Sequence, residues 1–248
     1  MILSLNTSTA QFSIALMEED GALVVECVLL SGSKNFRPFM PAFQDLLTSC
    51  GVDVKEIQAV AVATGPGSFT GLRVGLSVAK GICQGLAIPI IGVSSLEAMA
   101  NQLPFSTYPV CPVIDSRKGE VFAALFRWTD DQKMIRVRED VCLKTEDLLT
   151  LIEGKTIFLG NNIKKQGRII MKACGHEAML APPPLWNLKA SAVGILGIKQ
   201  ARERGFDKLA HLVPSYLRPP DIRPNPYAPI SDEHGDGLKL QGRNGIDK

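Results

Sequence analysis

The residues of this chain best suited to chemistry are gathered in one stretch, Gly65-Pro66-Gly67-Ser68-Phe69-Thr70-Gly71-Leu72-Arg73-Val74-Gly75-Leu76. Glycine permits a tight turn, Pro66 stiffens it, and Ser68 or Thr70 offers a side-chain oxygen as a helix N-cap. Free backbone amides at such a turn attract an anion, whereas capped amides are already satisfied. The residue types leave both readings open. A second hydroxyl pair, Thr7 and Ser8, follows the first apolar segment. Together Thr7, Ser8, Gly65, Gly67, Ser68 and Thr70 make a candidate nucleotide or anion loop.

Spacing excludes the common phosphate motifs. Counted from Gly65, a P-loop needs Gly-Lys-Ser/Thr where this chain has Thr70-Gly71-Leu72, and a dinucleotide fingerprint needs its third glycine one residue earlier than Gly71. Gly67-Ser68 lacks the second glycine of a nucleophile elbow. His176, His211 and His234 form neither HExxH nor HxxxH, so no metal pair is expected. The turn Asp115-Ser116-Arg117-Lys118-Gly119-Glu120 gathers charge, as a ligand contact or as a solvated hairpin. No catalytic residue is assigned.

The surrounding pattern says how these residues are positioned. Ile2–Leu5, Phe12–Leu16 and a segment near Leu23–Leu30 alternate as a three-strand meander. A helix with apolar positions Phe39, Met40, Phe43, Leu46 and Leu47 follows, then a strand at Ile57–Ala63 that feeds the glycine-rich loop. A helix runs from Leu72 to Ala87, a strand from Pro89 to Val93, and Ser94 with Glu97 spaces a capping box. The second half repeats this order more loosely, through strands near 110–114, 120–127, 133–143 and 156–159. Helices are expected at about 145–152, 163–174 and 190–204. Two such units predict a duplicated α/β protein with a cleft between its halves. The expected divisions are 1–105, completed by the helix near 190–204, then 106–218, then a Pro-rich extended or disordered tail at 219–248.

The helix after the loop carries two ridges. Val74, Val78, Ile82 and Leu86 are bulky and apolar, and are expected to face the core. Gly71, Gly75, Ala79, Cys83 and Ala87 are small, which implies close approach by another backbone, either the chain's own sheet or a second subunit's helix.

Composition sets the outer bounds. The chain has 248 residues, 46% of them hydrophobic and 21% charged, enough for a substantial core. A net charge of +2 does not by itself argue for nucleic-acid binding. No apolar run reaches transmembrane length and Met1–Ser4 enters a strand pattern without a basic leader, so a cytoplasmic protein with no membrane partner is expected. The six cysteines are widely spaced and read as reduced core thiols.

Several blocks resemble the TsaB (YeaZ) family. They are Leu5-Asn6-Thr7-Ser8-Thr9, the Gly65–Gly75 stretch, Ile91-Gly92-Val93-Ser94-Ser95-Leu96, Ile114–Val121, and Pro214-Ser215-Tyr216-Leu217-Arg218. The resemblance covers about residues 1–218 and implies a two-lobed actin/Hsp70/hexokinase-like fold (ASKHA, ribonuclease H-like). It also implies a non-catalytic subunit that assembles with and activates a TsaD-like transferase. That enzyme carries out N6-threonylcarbamoylation of adenosine 37 in tRNAs reading ANN codons. A TsaE-like ATPase is implied as a further partner, and tRNA is met indirectly through the complex. No cofactor is required by this chain, with ATP or ADP at a complex interface left open. The implied interface lies on helices about 36–50 and 70–87: Phe36, Phe39, Met40, Phe43, Leu47, Gly71, Leu72, Gly75, Leu76, Ala79 and Cys83. Such a ridge predicts a homodimer when the partner is absent. A bulky residue at Gly75 or Ala79 is expected to block the partner and spare the fold. Two departures from the family pattern stand out: Asn6 where an acid is common, and Asn35 where a histidine is common. The alternative is a small-molecule phosphotransferase or ATPase using Thr7, Ser8 and the Gly65–Thr70 loop.

Overall fold

The computed structural model describes residues 1–30 and 39–218. Phe36, Asn35 and the expected tail at 219–248 lie outside the described residues. The first half runs β1 (Ile2–Asn6), β2 (Gln11–Met17), β3 (Leu23–Leu30), α1 (Phe39–Cys50), β4 (Ala59–Gly65), α2 (Phe69–Leu86), β5 (Ile90–Ser94) and α3 (Ser95–Ala100). The second half runs β6 (Val110–Asp115), β7 (Glu120–Trp128), β8 (Met134–Lys144), α4 (Thr145–Leu149), β9 (Thr156–Gly160), α5 (Ile163–Cys174), β10 (Ala178–Leu180) and α6 (Ala190–Arg204).

Each half builds one mixed five-stranded sheet, and the strand orders are β3-β2-β1-β4-β5 and β8-β7-β6-β9-β10. The two orders superpose element by element, so the repeat seen in the sequence is a repeat in topology. The short strand β10, which pairs in parallel with β9, is not foreseen in the sequence. Its three residues follow a turn and carry too little periodicity to be read.

Alternation along β4 explains the layering. Val60 and Val62 enter a core shared with α1 and α2, while Ala61 and Ala63 enter a core shared with α3 and α6. That middle core also takes Val110, Ile114, Phe122 and Phe126 from the second sheet. The far face of the second sheet packs Leu148 of α4 and Ile163 and Ile170 of α5. The order through the molecule is therefore helices, sheet, helices, sheet, helices. Helix α6 returns from the end of the second repeat to lie on β1, β2, β4 and β5. It comes so close that a Cβ on Gly197 would stand 2.8 Å from that of Ala61.

After α6 the described residues 205–218 form no helix or strand, yet they are well tied. Asp207 N–H donates to Ile90 O at 2.9 Å, and Ser215 N–H donates to Thr64 O at 2.8 Å. Residues 205–218 thus form a strap along the β5 edge of the first sheet. Its end reaches the second half, where Arg218 meets Glu120 at 3.2 Å.

Candidate functional site

The glycine-rich loop sits where β4 hands the chain to α2, and it closes over the turn that follows β1. Gly65 takes a φ of +121°, which a side chain rarely tolerates, and Ser215 O lies 2.7 Å from where its Cβ would be. Ser68 is the N-cap of α2, its hydroxyl accepting from Gly71 N–H at 3.3 Å. Ser68 N–H itself donates to Ser8 O at 2.7 Å. Thr7 and Ser8 are fully buried beneath the loop. Thr7 Oγ1 donates to Gly71 O at 2.7 Å, and Ser8 donates both N–H and O–H to Asn6 Oδ1, at 3.0 and 2.7 Å. Asn6 in turn donates to Leu188 O at 2.8 Å, joining the first strand to the residues that open α6. The structure brings Thr7, Ser8, Gly67 and Ser68 together: Ser68 bonds to Ser8, Gly67 lies so close to Ser8 that a Cβ would overlap Ser8 O, and Thr7 bonds to Gly71. Thr70 is exposed and stands apart from that network.

Helix α2 buries its small-residue ridge most deeply, with the bulky ridge at the margin of the same core. The bulky ridge Val74, Val78, Ile82 and Leu86 is half-buried, and Val78, Ile82 and Leu86 pack against the first core from its edge. The buried residues are Gly71, Leu72, Gly75, Leu76, Ala79 and Cys83. The reason is steric. Thr7 lies directly under α2, in the space a Cβ on Gly75 would need, so only the small-residue side of the helix can approach. Leu72 and Leu76 then insert on either side, each contributing roughly 1.5–3 kcal/mol. The close neighbour of the small ridge is the chain's own first repeat. The expectation that a bulky residue at Gly75 spares the fold is corrected by the same contact.

Helix α1 keeps a similar division. Phe39, Phe43 and Leu46 are buried, with Phe39 and Phe12 rings 5.6 Å apart. Met40 is 52% exposed, and Leu47 is half-buried. Of the residues assigned to a partner surface, Met40 and Leu47 are therefore accessible, while Phe39, Phe43 and the α2 set lie in the interior. The open face of α2 carries Gly81 and Gly85, bordered by the half-buried Val74, Val78 and Ile82, of which Val78 and Ile82 also pack against the first core. A Cβ at either glycine would meet nothing within 4 Å.

The charged turn Asp115–Glu120 closes as a hairpin, with Ser116 N–H donating to Glu120 O at 2.9 Å and Lys118 at a φ of +60°. Its second role was not foreseen in the sequence: Arg218 from the strap pairs with Glu120 and donates to Arg117 O at 3.4 Å. A further cluster was also missed. Arg73 stacks on Phe69, with the guanidinium carbon 3.9 Å from the ring centroid, and its Nε donates to Tyr216 OH at 3.0 Å. Tyr216 was marked only as part of a family block, and nothing in its local pattern points to residue 73.

All six cysteines are free thiols, and burial pushes Cys83 up to about 11 and Cys111 up to about 12. Among the described residues no group of three or more His, Cys, Asp or Glu side chains is placed to hold a metal ion. No helix among them is long and apolar enough to cross a membrane.

Two repeats of one strand order, stacked with three helical layers, define a two-lobed α/β protein of the actin/Hsp70/hexokinase type. Residues 34–223 match the family described as TsaD, tRNA N6-adenosine threonylcarbamoyltransferase. Within that group the chain belongs to the TsaB (YeaZ) family. It is 30% identical over 220 residues to the tRNA threonylcarbamoyladenosine biosynthesis protein TsaB of Bacillus subtilis, covering 88% of this chain and 93% of that one. The Escherichia coli protein of the same name is 38% identical over 164 residues, 64% of this chain and 70% of its own. The structure of YeaZ from Pseudomonas aeruginosa shares the fold, with a TM-score of 0.72 at 23% identity over 87% of this chain and 99% of that one.

Proposed function

We propose that this chain is a non-catalytic assembly subunit in tRNA threonylcarbamoyladenosine biosynthesis, acting by docking on a TsaD-like transferase through the open faces of α1 and α2. The family relationship supports the pathway. The observation that carries the docking face is the pair Gly81 and Gly85. Each costs about 1 kcal/mol of helix stability relative to alanine. Yet neither is needed by a neighbour within this chain, since a Cβ at either would meet open space. Glycines on an open helix face, bordering the half-buried stripe Val74, Val78 and Ile82, allow a second helix to pack at short range. Met40 and Leu47 extend the same apolar character onto α1. The same face accounts for self-association when the transferase is absent, and a TsaE-like ATPase joins the assembled pair.

The test is to replace Gly81 or Gly85 by leucine. The fold is expected to survive, because both positions are open. Light scattering after size-exclusion chromatography should show wild type forming a 1:1 complex with the same organism's TsaD-like subunit, and the variants failing to form it. Leucine variants that bind as wild type would remove α2 from the interface. A wild-type chain indifferent to the subunit would sink the proposal.

A further inference from the structure

We infer that the Phe69–Arg73–Tyr216 ledge stacks a nucleobase of single-stranded RNA, making this chain a direct RNA contact within its complex. The inference rests on the tRNA role proposed above and adds a site to it.

Phe69 and Tyr216 are 40% and 44% exposed, and their rings lie 5.1 Å apart at an interplanar angle of 33°. Arg73 is exposed and lies with its guanidinium against Phe69. Exposed aromatics usually scatter singly. Here two of them and a flattened guanidinium make one continuous π-faced surface at the mouth of α2. Every base offers a π-face, so such a surface binds unpaired bases with little regard to sequence.

Charge favours a nucleic acid over a protein partner. Among the described residues no carboxylate lies within ion-pair distance of Arg73 or of the exposed Arg117. Two residues beyond Tyr216, Arg218 donates to the Arg117 backbone carbonyl at 3.4 Å. Arg218 also neutralises Glu120. Asp115, the other acid of that turn, accepts from the Gln166 amide at 2.9 Å. The Arg73 guanidinium, with no carboxylate within ion-pair distance among the described residues and set against the paired rings, matches a base and its adjoining phosphate.

The ledge is also held in place before any ligand arrives. Tyr216 is fixed by the Arg73 hydrogen bond and by Ser215 N–H on Thr64 O, and Arg218 pins the end of the strap. Little conformational entropy remains to be lost on binding.

The test uses the full chain and a short fluorescein-labelled RNA of mixed A and U sequence, followed by fluorescence anisotropy. Wild type is expected to bind with an affinity that falls as salt rises. Phe69→Ala and Tyr216→Leu are expected to weaken binding about tenfold. Arg73→Lys should keep the salt dependence and lose affinity, because lysine retains the charge without the plane. Thermal melts identify any variant that has lost the strap, and Tyr216→Phe, which keeps the ring, should then retain binding. Equal affinity across these variants, or no binding by wild type at low salt, overturns the inference. So does equal competition by a fully paired RNA duplex. Co-elution with the TsaD-like subunit is measured on the same samples. Loss of co-elution in Phe69→Ala with RNA binding unchanged would make the ledge a protein contact and overturn the RNA assignment. Failure of wild type to co-elute would instead count against the assembly role alone.

Discussion

Gly75 of α2 and Thr7 of the turn after β1 compete for one space: a methyl group on Gly75 would overlap Thr7 Oγ1, the hydroxyl that donates to Gly71 O. Gly75→Ala should therefore cost about 1–3 kcal/mol through overpacking, despite the better helix propensity of alanine. Gly81→Ala, on the open face, should gain up to about 1 kcal/mol. Urea unfolding of the two variants checks the contrast. Equal shifts in the same direction would contradict the assigned face of α2.

Asn6 holds three bonds, one of which a carboxylate cannot reproduce. Its amide donates to Leu188 O, where a carboxylate oxygen would face a carbonyl oxygen. Asn6→Asp should cost about 1–3 kcal/mol near neutral pH, the penalty for a buried acceptor left unpaired. The cost should shrink in acid, because a protonated carboxyl can donate to Leu188 O again. Unfolding midpoints measured across that range decide it, and a cost independent of pH would refute the account.

Asp207 anchors the start of the strap. The Arg204 side chain, bonded to it at 2.8 Å, holds its carboxyl below the ordinary value of 3.8; partial burial opposes this, and the Gly92 N–H assists. A depressed carboxyl stabilises the fold above its unfolded-state pKa and loses that contribution as pH falls through the folded value. Asp207→Asn should cost about 1 kcal/mol near neutral pH, modest because Arg204 is half exposed. The gap from wild type should narrow as pH falls below about 4. Strap opening can be followed by amide exchange at Ser215.

Cys111 is fully buried, and burial raises its thiol to about 12, with Cys83 at about 11. The thiolate is the reactive form, so neither should be alkylated by iodoacetamide near neutral pH in the native protein. Mass spectrometry should find both labelled only after denaturation. Native labelling of Cys111 at the denatured rate would mean that the second core opens readily.

Much of the architecture was legible from local pattern. The meander at Ile2–Leu30, the N-cap at Ser94, which accepts from Glu97 N–H, and the helices at 163–174 and 190–204 follow from periodicity and cap chemistry, which are short-range. The repeated order of elements carried the duplication, which the strand orders of the two sheets bear out. The candidate loop was found because glycine, proline and serine cluster in sequence.

Tertiary structure alone decided how that loop and helix are used. Two ridges on α2 were readable, but the sequence could not choose between them. Bulk argued for one face, and the position of Thr7, 64 residues before Gly71, put the small ridge deepest and left the bulky one at the core's margin. The strap was likewise silent in sequence, because residues 205–218 form no periodic element and bond instead to Ile90, Thr64 and Glu120. The same holds for the Arg73–Tyr216 pair, separated by 143 residues. Periodicity reports which residues share a face; which face is covered depends on contacts that exist only once distant segments have met.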